Sequence, residues 1–318
     1  MISLAVIILT RDEALHIERA LKCLAPIASQ VFVIDSGSKD GTVELAKAHG
    51  ATVLHNSWVN YAQQFQWAMD NAPITTEWVM RLDADEVIES DLASEMAAKL
   101  PLLAPEITGV NLKRKHIFMG RWIRHGGRYP LVLLRIWRRG AARIEQRWMD
   151  EHMLLNTGRA VTFTGGFADV NVNDLSFFTD KHNRYATREA IDIINQRRGL
   201  FARDTALANE SATSRARLTR LLKERVYNAI PTELAAAFYF MLRYILQFGF
   251  LDGREGLIYH FLQGFSYRFL VGAKVLELQR ALGDLEGEAA VERLSNLTGL
   301  KLTAPPLPEV MQTERNLR

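Results

Sequence analysis

The chain has 318 residues, 48% of them hydrophobic and 24% charged, with a formal net charge of +3. That length admits one large domain or two, and that composition permits a substantial core, so a globular protein is expected. A single cysteine, Cys23, excludes an internal disulfide and a cysteine metal cluster; it fits a reducing compartment and reads as a small apolar side chain on a helix.

Apolar residues run only from Ile2 to Leu9 before Arg11-Asp12-Glu13, with no basic segment and no small-residue cleavage site. The start therefore reads as a first strand, Leu4 to Leu9, rather than a signal peptide or anchor. Leu15, Ile17, Ala20, Leu21 and Leu24 predict a helix over Glu13 to Leu24. A second strand, Val31 to Ile34, leads through the turn Asp35-Ser-Gly-Ser-Lys-Asp-Gly-Thr42 into a helix from Val43 to His49, and Ala51 to Leu54 is a third strand. Strands alternating with helices across short polar turns predict an α/β fold with a parallel, doubly wound sheet. No Gly-x-Gly-x-x-Gly follows the first strand, which removes the main signature of a dinucleotide fold. Asp35, at the tip of strand two, could accept hydrogen bonds from a base or ribose; Asp40 and Thr42 are explained by capping the next helix.

Val79, Met80 and Leu82 read as a short buried strand that ends in Asp83-Ala-Asp85-Glu86. Asp83 and Asp85 then fall at the carboxyl edge of the sheet, where ligands of open α/β sheets bind. Two carboxylates one residue apart can share one hard divalent cation, which prefers oxygen ligands. Taken alone, the same acids would also suit a solvated turn before a helix, with Asp85 and Glu86 at its N-terminus.

Leu92 to Leu100 predicts a helix, ended by Pro101 and Pro105, and Gly109 to Lys113 and Leu131 to Trp137 predict strands. Between Asn111 and Arg147 stand eleven Lys and Arg residues against Glu145 alone among acids. That bias calls for an anionic partner or a solvated basic surface. Within it, Gly126-Gly127 could let backbone approach a ligand, Arg124, His125, Arg128 and Arg135 could clamp phosphates, and Trp122 and Tyr129 could stack on sugars or simply pack. Trp148-Met-Asp150-Glu151-His152 is a second acidic cluster, either a source of a general base or a loop balancing Arg143 and Arg147.

Helices are expected over His182 to Arg197 and Ser214 to Asn228, the latter carrying Arg215, Arg217, Arg220, Lys223 and Arg225. Two apolar helices follow, Thr232 to Phe250 and Gly256 to Leu278, joined through Gly249-Phe-Leu-Asp252-Gly253. A basic amphipathic helix before aromatic-rich apolar ones suggests docking in a membrane interface. A soluble helical subdomain, an oligomer interface and a bilayer span are the alternatives, the last costing about 2.5–3.5 kcal/mol for Arg243 in hydrocarbon. From Leu282 the chain turns polar, and Pro305-Pro306 opens a disordered tail.

In this order and spacing, Val6-Ile-Ile-Leu-Thr10-Arg-Asp-Glu13, Val33-Ile-Asp35-Ser-Gly-Ser-Lys-Asp40-Gly-Thr42 and Leu82-Asp83-Ala-Asp85-Glu86 resemble glycosyltransferase family 2, in particular bacterial enzymes of the core β-1,4-glucosyltransferase type that extend lipopolysaccharide core, O-antigen or capsule. The resemblance implies a GT-A fold, with a Rossmann-like, mostly parallel sheet and a C-terminal α-helical region that could associate with a membrane. Residues 1–105 would be the nucleotide-sugar-binding half, 106–200 the acceptor-binding half, 201–285 the helical region and 286–318 a polar tail. It further implies that Thr10 and Glu13 line the nucleotide pocket, that Asp35 meets uracil or ribose, and that Gln64 keeps an amide contact. Asp83 and Asp85 would hold Mg²⁺ or Mn²⁺, with Asp83 also on the donor. Glu151 aligns as the base with Asp150 in reserve, and His152 would orient the base or touch the diphosphate. Arg124, His125, Arg128, Tyr129 and Arg135 would serve phosphate or acceptor. Phe65 departs from the family pattern, replacing a usual basic residue.

The implied activity is inverting transfer from a nucleotide sugar, a UDP-hexose, to a lipid-linked saccharide of the cell envelope, at the inner face of the cytoplasmic membrane, by a monomer or homo-oligomer. Nucleic-acid binding is not expected, because no recognised module accompanies the basic region. Two competing readings are a nucleotidyltransferase, which would carry a Gly-rich basic loop where Thr10-Arg-Asp-Glu13 stands, and an inactive membrane-bound scaffold that keeps the fold.

Overall fold

The computed structural model describes residues 2–145, 151–201, 232–300 and 302. Its first half alternates as expected: β1 (Ile2–Thr10), α1 (Ile17–Leu24), β2 (Ala28–Asp35), α2 (Thr42–Ala48), β3 (Thr52–His55), α3 (Tyr61–Asn71) and β4 (Trp78–Arg81). β1 pairs in parallel with β2 and β4, and β2 with β3. Leu4 through Ile8 are fully buried because both faces of β1 are covered. Leu4, Val6 and Ile8 pack with Ile17, Ala20 and Leu24 of α1, while Ala5 and Ile7 pack with Phe65 and Ala68 of α3, the two-residue period of a strand sorting them. Helix α1 starts later than its apolar spacing predicts. The N–H groups of Glu13 and Ala14 donate instead to Thr42 Oγ1 and to the Asp40 carboxylate, at 2.8 and 3.0 Å, so residues 12–14 belong to a loop.

The second half contributes β5 (Glu86–Ile88), α4 (Ser90–Lys99), β6 (Ile107–Phe118), β7 (Arg121–Trp122), β8 (Leu131–Arg138), β9 (Ala142–Ile144), β10 (Met153–Leu155) and β11 (Arg159–Val170). The main sheet runs β3-β2-β1-β4-β8-β6-β11-β5, with β7 on β6. Strand β8 is antiparallel to both β4 and β6, β11 is parallel to β6, and β5 returns antiparallel to β11. Glu86 therefore opens a strand, which corrects the alternative that it starts a helix. The order also forces a curl. Three strands separate β4 from β5, about 19 Å in a flat sheet, yet residues 82–85 must make the connection within about 17 Å of extended chain. The Asp83–Asp85 turn thus closes the mouth of a curved sheet.

Beyond β11 lie α5 (Leu175–Arg198), α6 (Thr232–Met241), α7 (Gly253–Tyr259), α8 (Tyr267–Leu282) and α9 (Gly287–Thr298). Ala186, Ala190, Ile191 and Ile194 of α5 form a separate core with Tyr267, Val271, Val275 and Leu278 of α8 and with Ala290 and Leu294 of α9. The start of the expected polar tail is therefore a packed helix: Ala290, Leu294 and the half-buried Val291 give it an apolar stripe at helical spacing. The expected helix Thr232 to Phe250 is also broken. After α6 come a π-helical turn, Leu242–Leu246, and a 3₁₀ turn, Gly249–Asp252, with Phe248 between them at φ +59°. Among the described residues no single helix is long and apolar enough to cross a membrane; Leu234–Leu246 and Gly249–Leu282 pass that test only together, bent by 72°. The expected helix Ser214 to Asn228, Asp150 and Pro305-Pro306 lie outside the described residues.

Glu95 shows how α4 is fixed to the sheet. Its carboxylate accepts the N–H groups of Thr164 and Gly165 at 2.9 and 2.7 Å and the Lys99 ammonium at 2.7 Å. Gly165 must be glycine there, since a Cβ would lie 2.5 Å from the Leu92 Cα. Burial opposes the charge of Glu95, but the donors of Gly165, Lys99 and Thr164 bring its pKa from 4.5 down to about 2. Its folded pKa is depressed, so its stabilisation is full above pH 4.5 and is lost as pH falls toward 2. In urea titrations between pH 6 and 2.5, Glu95→Gln should be less stable than the wild type at pH 6, with the gap narrowing toward pH 2.5. An unchanged gap across that range would contradict this assignment.

Candidate active site

The acids at the end of β4 are positioned by a buried ionic lattice. Glu86 is 1% exposed; its Oε2 accepts the backbone N–H of Asp83 at 2.9 Å, and its Oε1 accepts Arg135 Nη2 at 2.6 Å, with Arg114 Nη1 at 3.5 Å. Arg135 reaches on to Asp83 Oδ2 at 3.6 Å. The Tyr61 hydroxyl donates to Asp83 Oδ1 at 2.6 Å, and Arg81 Nε stands 3.7 Å from the same oxygen while its guanidinium lies over the Tyr61 ring. The Asp83 carboxylate is thereby held by a phenol and two guanidinium groups, and its backbone N–H by Glu86.

Asp85 is held from the other side of the sheet. Its carbonyl accepts the Val170 N–H at 2.9 Å, its Oδ2 accepts Asn171 Nδ2 at 3.0 Å, and Lys181 Nζ of α5 stands 4.0 Å from Oδ2. Asp169 is close by, bonded to His116 Nδ1 at 3.1 Å and 3.9 Å from Arg114. Register explains the meeting: His116 pairs with Asp169 between β6 and β11, and Asp169 with Glu86 between β11 and β5.

The electrostatics divide these acids. Burial resists ionisation of Asp83, yet Arg81 and Arg135 hold it well below the ordinary carboxylate range. Asp85 moves the opposite way, raised by burial and by the neighbouring Asp169 and Asp83. Burial pushes Glu86 up to about 7 despite Arg135 beside it. Burial also opposes the charges of Arg81 and Lys181, but the surrounding phenols and carboxylates keep both more firmly protonated than usual. Crowded acids, with Asp85 between Asp83 and Asp169 raised, are the setting a divalent cation would relieve. Among the described residues no three metal-ligating side chains gather, so Asp83 and Asp85 would supply two oxygens and the remaining positions would fall to phosphate and water.

The other expected site residues fall into three groups. Glu151 lies near the lattice: its carbonyl accepts Arg81 Nη1 at 3.2 Å, and it is among the charges that sustain Arg81. His152, 45% exposed, stands 3.5 Å from Glu145. Thr10, Asp35 and Gln64 sit at the carboxyl edge of β1 and β2 but are turned inward. The Asp35 carboxylate accepts the Gly37 and Ser38 N–H groups, the Ser38 hydroxyl and the Thr10 hydroxyl, so its turn accounts for its oxygens without a ligand. Gln64, 1% exposed, bonds Ser36 Oγ, the Asn56 carbonyl and the Asn56 amide, so the expected donor-contacting amide is instead engaged within the protein, tying the Ser36 turn and the residue after β3 to α3. Glu13 Oε2 pairs with His16 Nδ1 at 2.7 Å.

The basic run also departs from expectation. Arg135 is 3% exposed and belongs to the acid lattice rather than to a solvent-facing phosphate clamp. Gly126 and Gly127 do admit a close neighbour, but it is the C-terminal region: a Cβ on Gly126 would overlap His260, and one on Gly127 would meet Gln247. His125 donates its N–H to Asp252 Oδ2 at 2.9 Å and pairs its Nδ1 with Oδ1 at 2.7 Å. Arg124 lies over Trp122, whose ring meets Tyr129 edge-on at 4.9 Å, and Arg128 lies over Tyr259. Tyr259 in turn packs 4.8 Å from His116, which connects this loop to Asp169.

Sequence reasoning missed Tyr61, Arg81, Glu86, Arg114, His116, Asp169, Asn171, Lys181 and Asp252 as parts of the site. One signal was available: Arg114 and His116 are two apart on a strand and so share a face, which marks that face as polar. Stability should report the lattice. Arg135→Met removes the closer of the two guanidinium groups beside Glu86, leaving Arg114 at 3.5 Å, and should cost about 3 kcal/mol in chemical unfolding. Adding Glu86→Gln, which keeps an acceptor for the Asp83 N–H without the charge, should return a large part of that loss.

A family model described as Glycosyl transferase family 2 matches residues 5–164, which span β1 through the strand β11 and include Asp83, Asp85 and Glu151. An uncharacterized glycosyltransferase of Rickettsia bellii (strain RML369-C) is 37% identical over 89 residues, 28% of this chain and 30% of that protein. One from Rickettsia felis (strain ATCC VR-1525 / URRWXCal2) is 33% identical over 96 residues, 30% of this chain and 33% of that protein. The matched region is thus about a third of the length of these curated relatives. Among solved structures, glucosyl-3-phosphoglycerate synthase from Mycobacterium tuberculosis, in complex with Mn²⁺, UDP and glucosyl-3-phosphoglycerate, is 20% identical and covers 36% of this chain and 43% of that one, with a TM-score of 0.30.

Proposed function

The chain belongs to glycosyl transferase family 2, and on that premise we propose that it moves a sugar, with inversion, from a nucleotide-sugar donor to an acceptor hydroxyl. The observation that carries this reading is the pair Asp83 and Asp85, fixed by protein donors in the turn that closes the curled sheet. Glu151 would take the proton of the acceptor hydroxyl as that oxygen bonds to the anomeric carbon, and the bond from that carbon to the diphosphate oxygen would break. Asp83 and Asp85 would hold Mg²⁺ or Mn²⁺, which when bound neutralises charge growing on the departing diphosphate. Arg81 ties the Glu151 segment to the Asp83 carboxylate, which supports a base and a metal pair sharing one cleft. The donor we favour is a UDP-hexose.

A lipid-linked saccharide as acceptor is supported by the C-terminal surface. Leu234, Phe238, Met241, Leu242, Ile245 and Leu246 are all 41% or more exposed, and the one charged residue from Leu234 to Leu251, Arg243, is 2% exposed. Arg243 turns inward to the Gly126 carbonyl at 2.9 Å. An apolar face of that extent marks a docking surface, and the five basic residues between Arg215 and Arg225 just before it in sequence suit an anionic bilayer. On this reading the protein is peripheral, at the inner face of the cytoplasmic membrane, and serves envelope polysaccharide synthesis.

Two measurements test these statements separately. Screening UDP-, GDP- and dTDP-sugars for nucleotide release should find one donor that needs added Mg²⁺ or Mn²⁺. With it, Asp85→Ala should abolish release, and Glu151→Gln should lower kcat by about 10²–10⁴-fold with little change in donor affinity; undiminished turnover in either variant removes that residue from the mechanism. In flotation, the full chain should rise with vesicles containing phosphatidylglycerol, and Phe238→Ser with Leu246→Ser should reduce that fraction several-fold. Vesicle-independent self-association through the same residues would instead make the face a contact between two copies.

A further inference from the structure

Lys181 stands apart from the rest of the basic residues at the site. It comes from α5, beyond the residues that the family model matches, and its side chain is 33% exposed, whereas Arg135 beside Asp83 is 3% exposed. Its ammonium is 4.0 Å from Asp85 Oδ2, and Asp85, Asp169 and Glu13 all act on its charge. The neighbouring guanidinium groups are engaged at closer range: Arg135 bonds Glu86 at 2.6 Å and Arg114 stands 3.5 Å from Glu86 and 3.9 Å from Asp169. At 4.0 Å the Lys181 ammonium balances charge without a direct hydrogen bond to Asp85. Asn171, by contrast, already holds the Asp85 oxygen at 3.0 Å, so Asp85 keeps its orientation if Lys181 leaves.

A lysine of this kind is a compact charge on a flexible four-carbon stem, able to move between anions without rebuilding a planar hydrogen-bond pattern. A divalent cation on Asp83 and Asp85 would repel it, and the nearest new anion would be the donor's diphosphate. We propose that Lys181 is a diphosphate-binding residue, stored against Asp85 and Asp169 in the free protein and transferred to the nucleotide's phosphates when a divalent cation takes the two aspartates. The inference rests on the proposed role of Asp83 and Asp85 and adds to it a cation supplied by the C-terminal region. Lys181 thereby makes metal and nucleotide binding mutually dependent: in the free protein it competes with the metal, and in the complex it assists the nucleotide.

The test uses the intact chain, Mn²⁺ and UDP, read by calorimetry and by the electron paramagnetic resonance signal of free Mn²⁺. Lys181→Met should bind Mn²⁺ roughly tenfold more tightly than the wild type when no nucleotide is present, because a positive charge near the aspartates has gone. At saturating Mn²⁺ the same variant should bind UDP roughly tenfold more weakly. Lys181→Arg keeps the positive charge but needs a planar hydrogen-bond pattern, so it should keep Mn²⁺ affinity near the wild-type value and recover only part of the UDP affinity that Lys181→Met loses. A purely structural lysine would leave Mn²⁺ affinity unchanged or weaken it, and either result overturns the proposal. Tighter Mn²⁺ binding with unaltered UDP affinity also overturns it, since the transfer to phosphate would not occur. Asp85→Asn separates this from failure of the underlying reading: if that variant binds Mn²⁺ as the wild type does, the two-aspartate site itself is wrong and the proposal falls with it.

Discussion

The side chain on which the site depends is Glu86, the residue that follows the two aspartates. Its carboxylate is fully enclosed, and one oxygen holds the Asp83 N–H while the other holds Arg135. An enclosed carboxylate is tolerated only with partners, and here the partners are the parts that need aligning. Glu86 starts β5, Arg135 lies in β8, and Arg114 lies in β6. Strands from three places in the curled sheet therefore converge on one acid, and the Asp83 turn is bound to that convergence by its own backbone. The curl is what allows it, since in a flat sheet β5 would lie beyond reach of β4.

The C-terminal region extends this constraint outward. Asp252 grips His125 twice, the Gly126 N–H donates to the Gln247 carbonyl at 2.9 Å, and Arg243 donates to the Gly126 carbonyl. His260, fully buried between Gly126 and Gly249, has its Nε2 3.8 Å from Asp252 Oδ2, and burial together with Arg243 lowers its pKa to about 4 despite that carboxylate. It is a neutral packing element, and the glycines on both sides are there to admit its ring. The apolar face of residues 234–251 is thus anchored, through Asp252 and Arg243, to the loop that carries Arg124, His125 and Arg128.

What the sequence revealed and what it hid follow from the range of the interactions. β1 to β4 and their helices were legible because strand and helix periodicity are local, and Asp83 and Asp85 because an apolar strand ends at them abruptly. The inward turning of Asp35 and Gln64 was not, because an acid or amide that serves its own turn has the same spelling as one that serves a ligand. Arg135 reads as one of the phosphate-clamping residues of a basic run, yet its neighbours in space are acids 49 and 52 positions earlier in the chain. Gly126-Gly127 suggests the approach of a ligand, but the groups that approach are the chain's own His260 and Gln247, more than 100 residues later in the sequence. The helix α9 was hidden by a polar composition that leaves only a thin apolar stripe.

The placement of charge gives these pieces a common direction. Asp83 stands beside two guanidinium groups and is firmly ionised, whereas Asp85, two residues on, is raised by burial and by Asp169 and has the Lys181 ammonium 4.0 Å away. The Asp83 side is therefore rigid, held by Tyr61, Arg81 and Arg135 of the matched family segment. The Asp85 side is adjustable, held by Asn171 and Lys181 from the chain beyond it. A turn with one fixed and one adjustable carboxylate can accept and release a charged ligand without unlocking the buried lattice, because only the outer half needs to change partners. The energetic cost of burying Glu86 and Arg135 is confined to the Asp83 half.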